Sequence, residues 1–153
     1  DYVVRIATEK AEFAGEHLVP TGSAVLAADT AVVLGDEIFG KPRDKDDALA
    51  MLGKLSGREH RVLTAVALHV QGTNRVALSD SKVEFKAFSA AEAEAYWNTG
   101  EPADKAGAYG IQGMGAVFVK HLQGSYSGVM GLPLFETAQL LSEAGLASKV
   151  MHE

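Results

Sequence analysis

Apolar and polar positions follow two different periods along the chain, and both predict regular structure. From Asp1 to Ala14 apolar residues recur every three or four positions, which is the period of an amphipathic helix. From Ala24 to Leu34 the apolar run is nearly continuous, and only Asp29 and Thr30 interrupt it. A run of this kind is typical of a buried strand. The segment between them, which contains Pro20, is predicted to be a loop.

The remaining elements are predicted from caps, turns and alternation. A helix is predicted after Asp44 and a second one after the Ser89/Glu92 capping box. Residues 61–70 and 82–87 are rich in strand formers or alternate in polarity, which predicts an antiparallel strand pair. A last helix is predicted to begin near Pro133 and to end at Gly145. This mixture of strands and helices predicts one α/β domain.

Length and charge narrow the functional classes. The chain has 153 residues, of which 47% are hydrophobic and 22% charged, as expected for a single globular unit. Its formal net charge is -6, so a broad basic surface for a polynucleotide is not expected. No apolar run approaches the roughly 20 residues that span a bilayer, and we expect no membrane partner.

Cysteine content and the start of the sequence bear on location. The chain contains no cysteine, which excludes a disulfide scaffold, a thiolate nucleophile and a cysteine zinc site. Asp1 and Arg5 bracket only a few apolar residues, so the start does not have the pattern of a signal peptide. We expect a cytoplasmic protein.

Asp29 is the most informative single residue. A carboxylate inside an apolar strand costs several kcal/mol unless it is paired, hydrogen-bonded or bound to a cation. One interpretation is a metal-binding or water-activating carboxylate at a bend in the strand. The other is a structural aspartate that caps nearby backbone amides.

Two loops carry further candidate binding residues. Lys41 lies between a glycine and a proline and suits a phosphate oxygen, although it also fits an exposed loop lysine. Residues 100–113 place Lys105 and Gln112 among turn residues. Lys105 is suited to phosphate and Gln112 to a base edge, while a well-ordered surface loop is the alternative. Nearby, Tyr96 and Trp97 suit either stacking on a base or a place in the core.

Five short motifs, in this order and at these intervals, resemble the Maf family of nucleotide pyrophosphatases, and the likeness runs essentially from end to end. The motifs are Ala27-Ala28-Asp29-Thr30, Gly40-Lys41-Pro42, Leu55-Ser56-Gly57-Arg58, the block from Gly100-Glu101-Pro102 to Ile111-Gln112-Gly113, and Gly131-Leu132-Pro133-Leu134.

The resemblance implies a fold and an activity. Maf proteins are similar to inosine triphosphate pyrophosphatases, with an elongated, two-lobed α/β fold around a twisted mixed sheet. The implied reaction is metal-dependent hydrolysis of dTTP and UTP to the monophosphate and pyrophosphate, with modified pyrimidine triphosphates as further candidates. Alternatives are a pyrophosphatase for another base, such as 7-methyl-GTP, and a nucleotide-binding regulator of cell division without turnover.

The resemblance also assigns roles to residues. Asp29 matches the catalytic carboxylate, a proton acceptor that also holds the divalent cation, Mg²⁺ or Mn²⁺. Lys10 and Lys41 match lysines that lie against the triphosphate. Thr30 and Gln112 match positions that distinguish the dTTP/UTP branch. A homodimer is implied as well.

One part of the family pattern has no counterpart in residues 1–153. Family members begin with a strand and a Ser-x-Ser-Pro-Arg-Arg loop before the first long helix, whereas the printed sequence starts inside that helix at Asp1. That segment is expected to supply an arginine and a second carboxylate to the site. Either the sequence is a piece of a longer protein, or this form lacks that part of the site.

Overall fold

The computed structural model describes residues 2–146, which form helices around one five-stranded sheet. The helices are α1 (Tyr2–His17), α2 (Lys45–Leu55), α3 (Ala90–Trp97), α4 (Tyr126–Met130) and α5 (Leu134–Glu143), with short 3₁₀ helices at Glu101–Asp104, Ala106–Ala108 and Met114–Phe118. The strands are β1 (Val25–Leu34), β2 (Glu37–Phe39), β3 (Glu59–Val70), β4 (Thr73–Phe85) and β5 (Val119–Gln123). The predicted α/β class is confirmed.

The strand order is β2-β1-β3-β4-β5, and every pairing in the described part of the chain is antiparallel. The mixed sheet implied by the resemblance is therefore not what residues 2–146 form. Two-residue turns join β1 to β2 and β3 to β4, and such tight turns permit only antiparallel neighbours. In the second turn Gln71 and Gly72 both have positive φ, as a type I′ hairpin requires.

Helix α1 packs on one face of the sheet through small side chains. Ala7 and Ala11 are fully buried against Ala31, Ala65 and Ala67. Alanine on both surfaces lets the helix approach the strands closely, since no large side chain separates them. This packing brings Lys10, the neighbour of Ala11 in sequence, over β1.

The end of α1 differs from the prediction. The helix was expected to stop at Ala14 and give way to a loop at Gly15, but it continues to His17. Gly15 is needed inside the helix because a Cβ there would lie 2.3 Å from Cδ2 of the His69 ring. The glycine therefore marks a close contact with β3 and not a helix stop. The predicted start at Asp1 lies outside the described residues, as do residues 147–153 of the predicted domain.

The predicted starts of α2 and α3 are confirmed, whereas β4 begins earlier than predicted, at Thr73, and ends at Phe85. Asp44 caps α2 and accepts a hydrogen bond from the backbone of Asp47, and Ser89 and Glu92 form the predicted capping box at α3. Within residues 2–146, no helix is long and apolar enough to cross a membrane.

The largest core cluster surrounds a buried histidine. His60 is 2% exposed, donates or accepts a hydrogen bond of 2.7 Å between its Nε2 and the Tyr109 hydroxyl, and packs edge-on against Phe85. Its Nδ1 is buried without a hydrogen-bond partner. Burial lowers the pKa of His60 to about 4, because the charged imidazolium loses its hydration.

We predict that this histidine makes stability depend on pH. Its folded-state pKa lies below the unfolded value of 6.5, so unfolded chains bind more protons between the two values, and stability is lost as pH falls. The free energy of unfolding should decrease by about 2 to 3 kcal/mol between pH 6.5 and 4.5. Urea unfolding at a series of pH values measures it.

The test variant is His60→Gln, which removes the buried imidazole whose protonation destabilises the fold. The control is His121→Gln, which removes an exposed imidazole. The pH slope should largely disappear in the first and persist in the second. An unchanged slope in His60→Gln would contradict the assignment.

Candidate active site

A cavity of about 460 Å³ opens beside β1. Its walls come from α1, β1, the turn before α2, residues 104–112 and the end of α4. The volume lies within the usual range of small-molecule sites. All six residues predicted from the sequence as site residues line it: Lys10, Asp29, Thr30, Lys41, Lys105 and Gln112.

Asp29 lies in the middle of β1 and forms an ion pair with α1. Lys10 Nζ lies 3.3 Å from Asp29 Oδ1 and also donates to the carbonyl oxygen of Ala28 at 3.2 Å. Within the described chain, Lys10 is the only side chain that reaches Asp29 by a hydrogen bond. The Asp29 side chain is 19% exposed and faces the cavity, so it is compensated and still accessible to a ligand.

The strand does not bend at Asp29, contrary to the prediction. Asp29 pairs with Ala65 in an uninterrupted register that runs from Val25 to Val33. Alternation along this strand puts Asp29 on the face covered by α1 and Thr30 on the opposite face. Both line the cavity, which therefore reaches β1 from two sides.

Thr30 belongs to a chain of hydrogen bonds that runs into the sheet. Its hydroxyl lies 2.9 Å from the hydroxyl of Thr64, its direct partner on β3. Thr64 is fully buried and donates to the backbone carbonyl of Gly128 in α4 at 2.7 Å. The position requires glycine, because a Cβ at residue 128 would lie 2.3 Å from Ser79 Oγ.

The turn that carries Lys41 is tied to the loop on the other side of the cavity. The Gly107 amide donates to the Gly40 carbonyl at 3.1 Å, and Pro42 is buried beside them. Gly107 has φ +70°, and a Cβ there would lie 2.7 Å from Val32, so only glycine fits. Lys41 itself is exposed and lines the cavity.

Residues 100–115, called here the glycine-rich loop, hold Lys105 and Gln112. Lys105 Nζ pairs with Asp104 at 2.9 Å, and its aliphatic stem lies where a Cβ at Gly110 would come within 3.0 Å. Lys105, with Lys41 at longer range, keeps the pKa of Asp104 below its usual value. Gln112 is exposed at the cavity wall.

A hydrogen-bond network around the partly buried Glu101 carboxylate holds this loop, and sequence reasoning did not identify it. Glu101 accepts hydrogen bonds from the backbone amides of Met114 at 2.8 Å and Gly115 at 3.0 Å, and from the Tyr96 hydroxyl. The Gly110 amide donates to that same hydroxyl at 3.0 Å. Tyr96 is thus 5% exposed and part of the core, and stacking on a base is excluded for it.

Electrostatics favours the ionised form of Glu101. Partial burial opposes its ionisation, but the hydrogen bonds from Tyr96, Gly115 and Met114 outweigh burial and lower the pKa of Glu101. Charged acceptors make stronger hydrogen bonds than neutral ones. Glu101 thus anchors both ends of the segment that carries Gln112. The sequence feature that could have pointed to Glu101 is its place in the Gly100-Glu101-Pro102 motif.

The cavity has a charge opposite to that of the chain. Three lysines and two carboxylates line it, whereas the whole sequence has a net charge of -6. Local positive potential in an acidic protein favours an anionic ligand. The uncharged carboxamide of Gln112 also lines the cavity and can hydrogen-bond an uncharged part of such a ligand.

The divalent cation implied by the resemblance fits this site only together with a polyphosphate that supplies further ligands. No group of three His, Cys, Asp or Glu side chains among residues 2–146 is arranged to hold an ion. Magnesium is commonly held by one or two carboxylates together with substrate phosphates and water. The Asp29 carboxylate therefore suits a cation that binds with a polyphosphate, and it does not form a metal site by itself.

Comparison with known proteins identifies relatives. The family model described as Maf-like protein matches residues 1–144. A dTTP/UTP pyrophosphatase of Methylococcus capsulatus is 55% identical over 148 residues, which cover 97% of this chain and 73% of that protein. Proteins of the same name from Alcanivorax borkumensis and Bordetella avium are 53% and 51% identical, over 95% and 96% of this chain and 75% of each relative.

We predict that Glu101→Gln loosens the glycine-rich loop. Both carboxylate oxygens accept hydrogen bonds, so an amide nitrogen in place of either one faces a donor and leaves it unpaired, at a cost of about 1 to 3 kcal/mol. Hydrogen–deuterium exchange of the amides of residues 110–115 should become at least about tenfold faster. Amides of β3 and β4 should change less.

The control is Glu94→Gln, which removes the same charge from an exposed ion pair with Lys45. This variant should leave exchange in the loop unchanged. Equal protection of residues 110–115 in Glu101→Gln and in the unmodified protein would show that Glu101 does not anchor the loop.

Proposed function

The chain belongs to the Maf-like family, and we propose that it hydrolyses dTTP and UTP to the nucleoside monophosphate and pyrophosphate. The observation that carries this proposal is the cavity itself, which is lined by Asp29 and three lysines and also by Thr30 and Gln112. The first set suits a triphosphate and its hydrolysis, and the second suits a base edge. Three relatives that bear the name dTTP/UTP pyrophosphatase, at 51 to 55% identity, support the same activity.

Lys10, Lys41 and Lys105 are proposed to bind the phosphates. Each lines the cavity, and a lysine ammonium is a compact charge that donates to phosphate oxygens. Lys10 is held between Asp29 and the Ala28 carbonyl, so its position is fixed by α1 packing. Lysines near the scissile bond also stabilise the negative charge that develops during the reaction.

Asp29 is proposed as the proton acceptor. A water molecule attacks the α-phosphorus, its oxygen forms the new P–O bond, and its proton passes to the Asp29 carboxylate. The bond between the α-phosphorus and the bridging oxygen breaks, and pyrophosphate leaves with that electron pair. A positioned carboxylate base of this kind accelerates a reaction by roughly 10² to 10⁴.

A divalent cation, Mg²⁺ or Mn²⁺, is proposed as the cofactor, held by Asp29 and the substrate phosphates. When bound it supplies charge neutralisation and lowers the pKa of bound water. The Lys10 ammonium neutralises Asp29 without it. A homodimer, a cytoplasmic location and a single Maf-like domain over residues 1–153 stay predictions.

Thr30 and Gln112 are proposed to contact the base. A carboxamide presents one acceptor and two donors, which match the alternating groups on a pyrimidine edge. A site that hydrogen-bonds a base discriminates strongly against analogues that leave its groups unpaired.

Asp29→Asn tests the catalytic role. The substitution removes the base and keeps the size of the side chain, so kcat for UTP should fall by roughly 10² to 10⁴, while the affinity for the non-hydrolysable α,β-methylene analogue of UTP is retained. Pyrophosphate release with Mg²⁺ or Mn²⁺ measures kcat, and calorimetry measures binding.

Asp36→Asn, in the exposed β1–β2 turn, controls for the loss of one negative charge and should behave like the unmodified protein. If Asp29→Asn kept its kcat, a different group would have to accept the proton. If the unmodified protein bound UTP without turnover, the regulator hypothesis would replace the enzyme.

Lys41→Met tests the phosphate contact. Loss of one charge-assisted hydrogen bond, worth about 1.5 to 3 kcal/mol, should raise KM for UTP by about tenfold or more. Lys45→Met removes the same charge from a residue that pairs with Glu94 outside the cavity, and its KM should stay within about twofold of the unmodified value. Equal KM values for the two variants would remove Lys41 from the site.

A further inference from the structure

The hydroxyl chain from Thr30 to Gly128 has a fixed direction. A threonine hydroxyl carries one proton and two lone pairs, and a backbone carbonyl can only accept. The proton of Thr64 therefore lies on its 2.7 Å hydrogen bond to the Gly128 carbonyl. In the 2.9 Å contact between Thr30 and Thr64, the Thr64 oxygen is then the acceptor and Thr30 must be the donor.

Burial makes this direction hard to reverse. Thr64 is 0% exposed, so its hydroxyl has no solvent to turn to. The Gly128 carbonyl is held in place by a second donor, the amide of Gly131 at 3.1 Å. Leaving a buried hydroxyl or carbonyl partly unpaired is costly, and both members keep their bonds only when Thr64 donates to Gly128.

The direction of this hydrogen bond determines what the Thr30 hydroxyl can offer a ligand in the cavity. With its own proton committed to Thr64, the Thr30 oxygen has only lone pairs left for whatever binds in the cavity that Thr30 lines. Gln112, which lines the same cavity, can turn its amide to offer either a donor or an acceptor. Of these two residues, only Thr30 is restricted to one role, that of a hydrogen-bond acceptor.

We propose that Thr64 is a specificity-determining positioning residue, which makes Thr30 an obligate hydrogen-bond acceptor and so selects a nucleobase with a ring N–H over cytosine. Uracil and thymine carry a proton on N3, which can donate to Thr30. Cytosine has a lone pair at N3, so acceptor would face acceptor. This inference rests on the proposed function, because it assumes that Thr30 faces the base.

The test compares Thr64→Val with Thr64→Ser. Valine keeps the branched shape but removes the oxygen, which frees the Thr30 proton to point into the cavity and donate to cytosine. The ratio of kcat/KM for UTP to that for CTP should fall by about tenfold. Serine keeps the hydroxyl and should keep the ratio within about twofold.

The ratio is measured within one preparation, so a loss of stability lowers both values and cancels. An unchanged ratio in Thr64→Val, or an equal loss in Thr64→Ser, would overturn the proposal. Calorimetry of the unmodified protein with the α,β-methylene analogues of UTP and CTP provides a test that needs neither turnover nor a variant. Equal affinities for the two analogues would also overturn it.

This binding measurement separates the inference from the proposed function. Preference for the uridine analogue without hydrolysis of UTP would refute the pyrophosphatase activity and support the acceptor role of Thr30. Hydrolysis of UTP and CTP with equal kcat/KM would support the activity and refute the role of Thr64.

Discussion

Nine consecutive residue pairs join β1 to β3, and this uninterrupted register decides what each side chain of β1 can do. Because neighbouring residues of a strand point to opposite faces, Asp29 meets Lys10 from α1, while Thr30 meets Thr64 and the α4 backbone. A bulge between them would turn one set of side chains to the wrong face. In the proposed function, this one strand would contact both the phosphates and the base of the nucleotide.

The second requirement is that the loops around the cavity hold their shape. Glu101 joins Tyr96 to the amides of residues 114 and 115, and Gly107 joins the glycine-rich loop to the Gly40 carbonyl. These contacts bring Lys105 and Gln112 to the wall opposite α1. In the proposed function, positioning of this kind would let the chain bind a flexible triphosphate without ordering its loops at each encounter.

Sequence reasoning succeeded where a local pattern carries the information. Asp29 stands out because it is charged inside an apolar run, and the α3 capping box is visible within four residues. The predicted end of α1 before Gly15 was wrong. A glycine that ends a helix cannot be distinguished in the sequence from one that makes room for the His69 ring. Thr64 and Glu101 were missed because their partners, Thr30 and Met114, lie 34 and 13 residues away, and only the fold brings them together.

Hydrolysis of UTP in ¹⁸O-labelled water shows which phosphorus atom the water attacks. If Asp29 and the lysines direct water to the α-phosphorus, mass spectrometry should find the label in UMP and none in pyrophosphate. Label in pyrophosphate would mean attack at the β-phosphorus. That result, or release of orthophosphate in place of pyrophosphate, would show that this cavity does not direct water to the α-phosphorus.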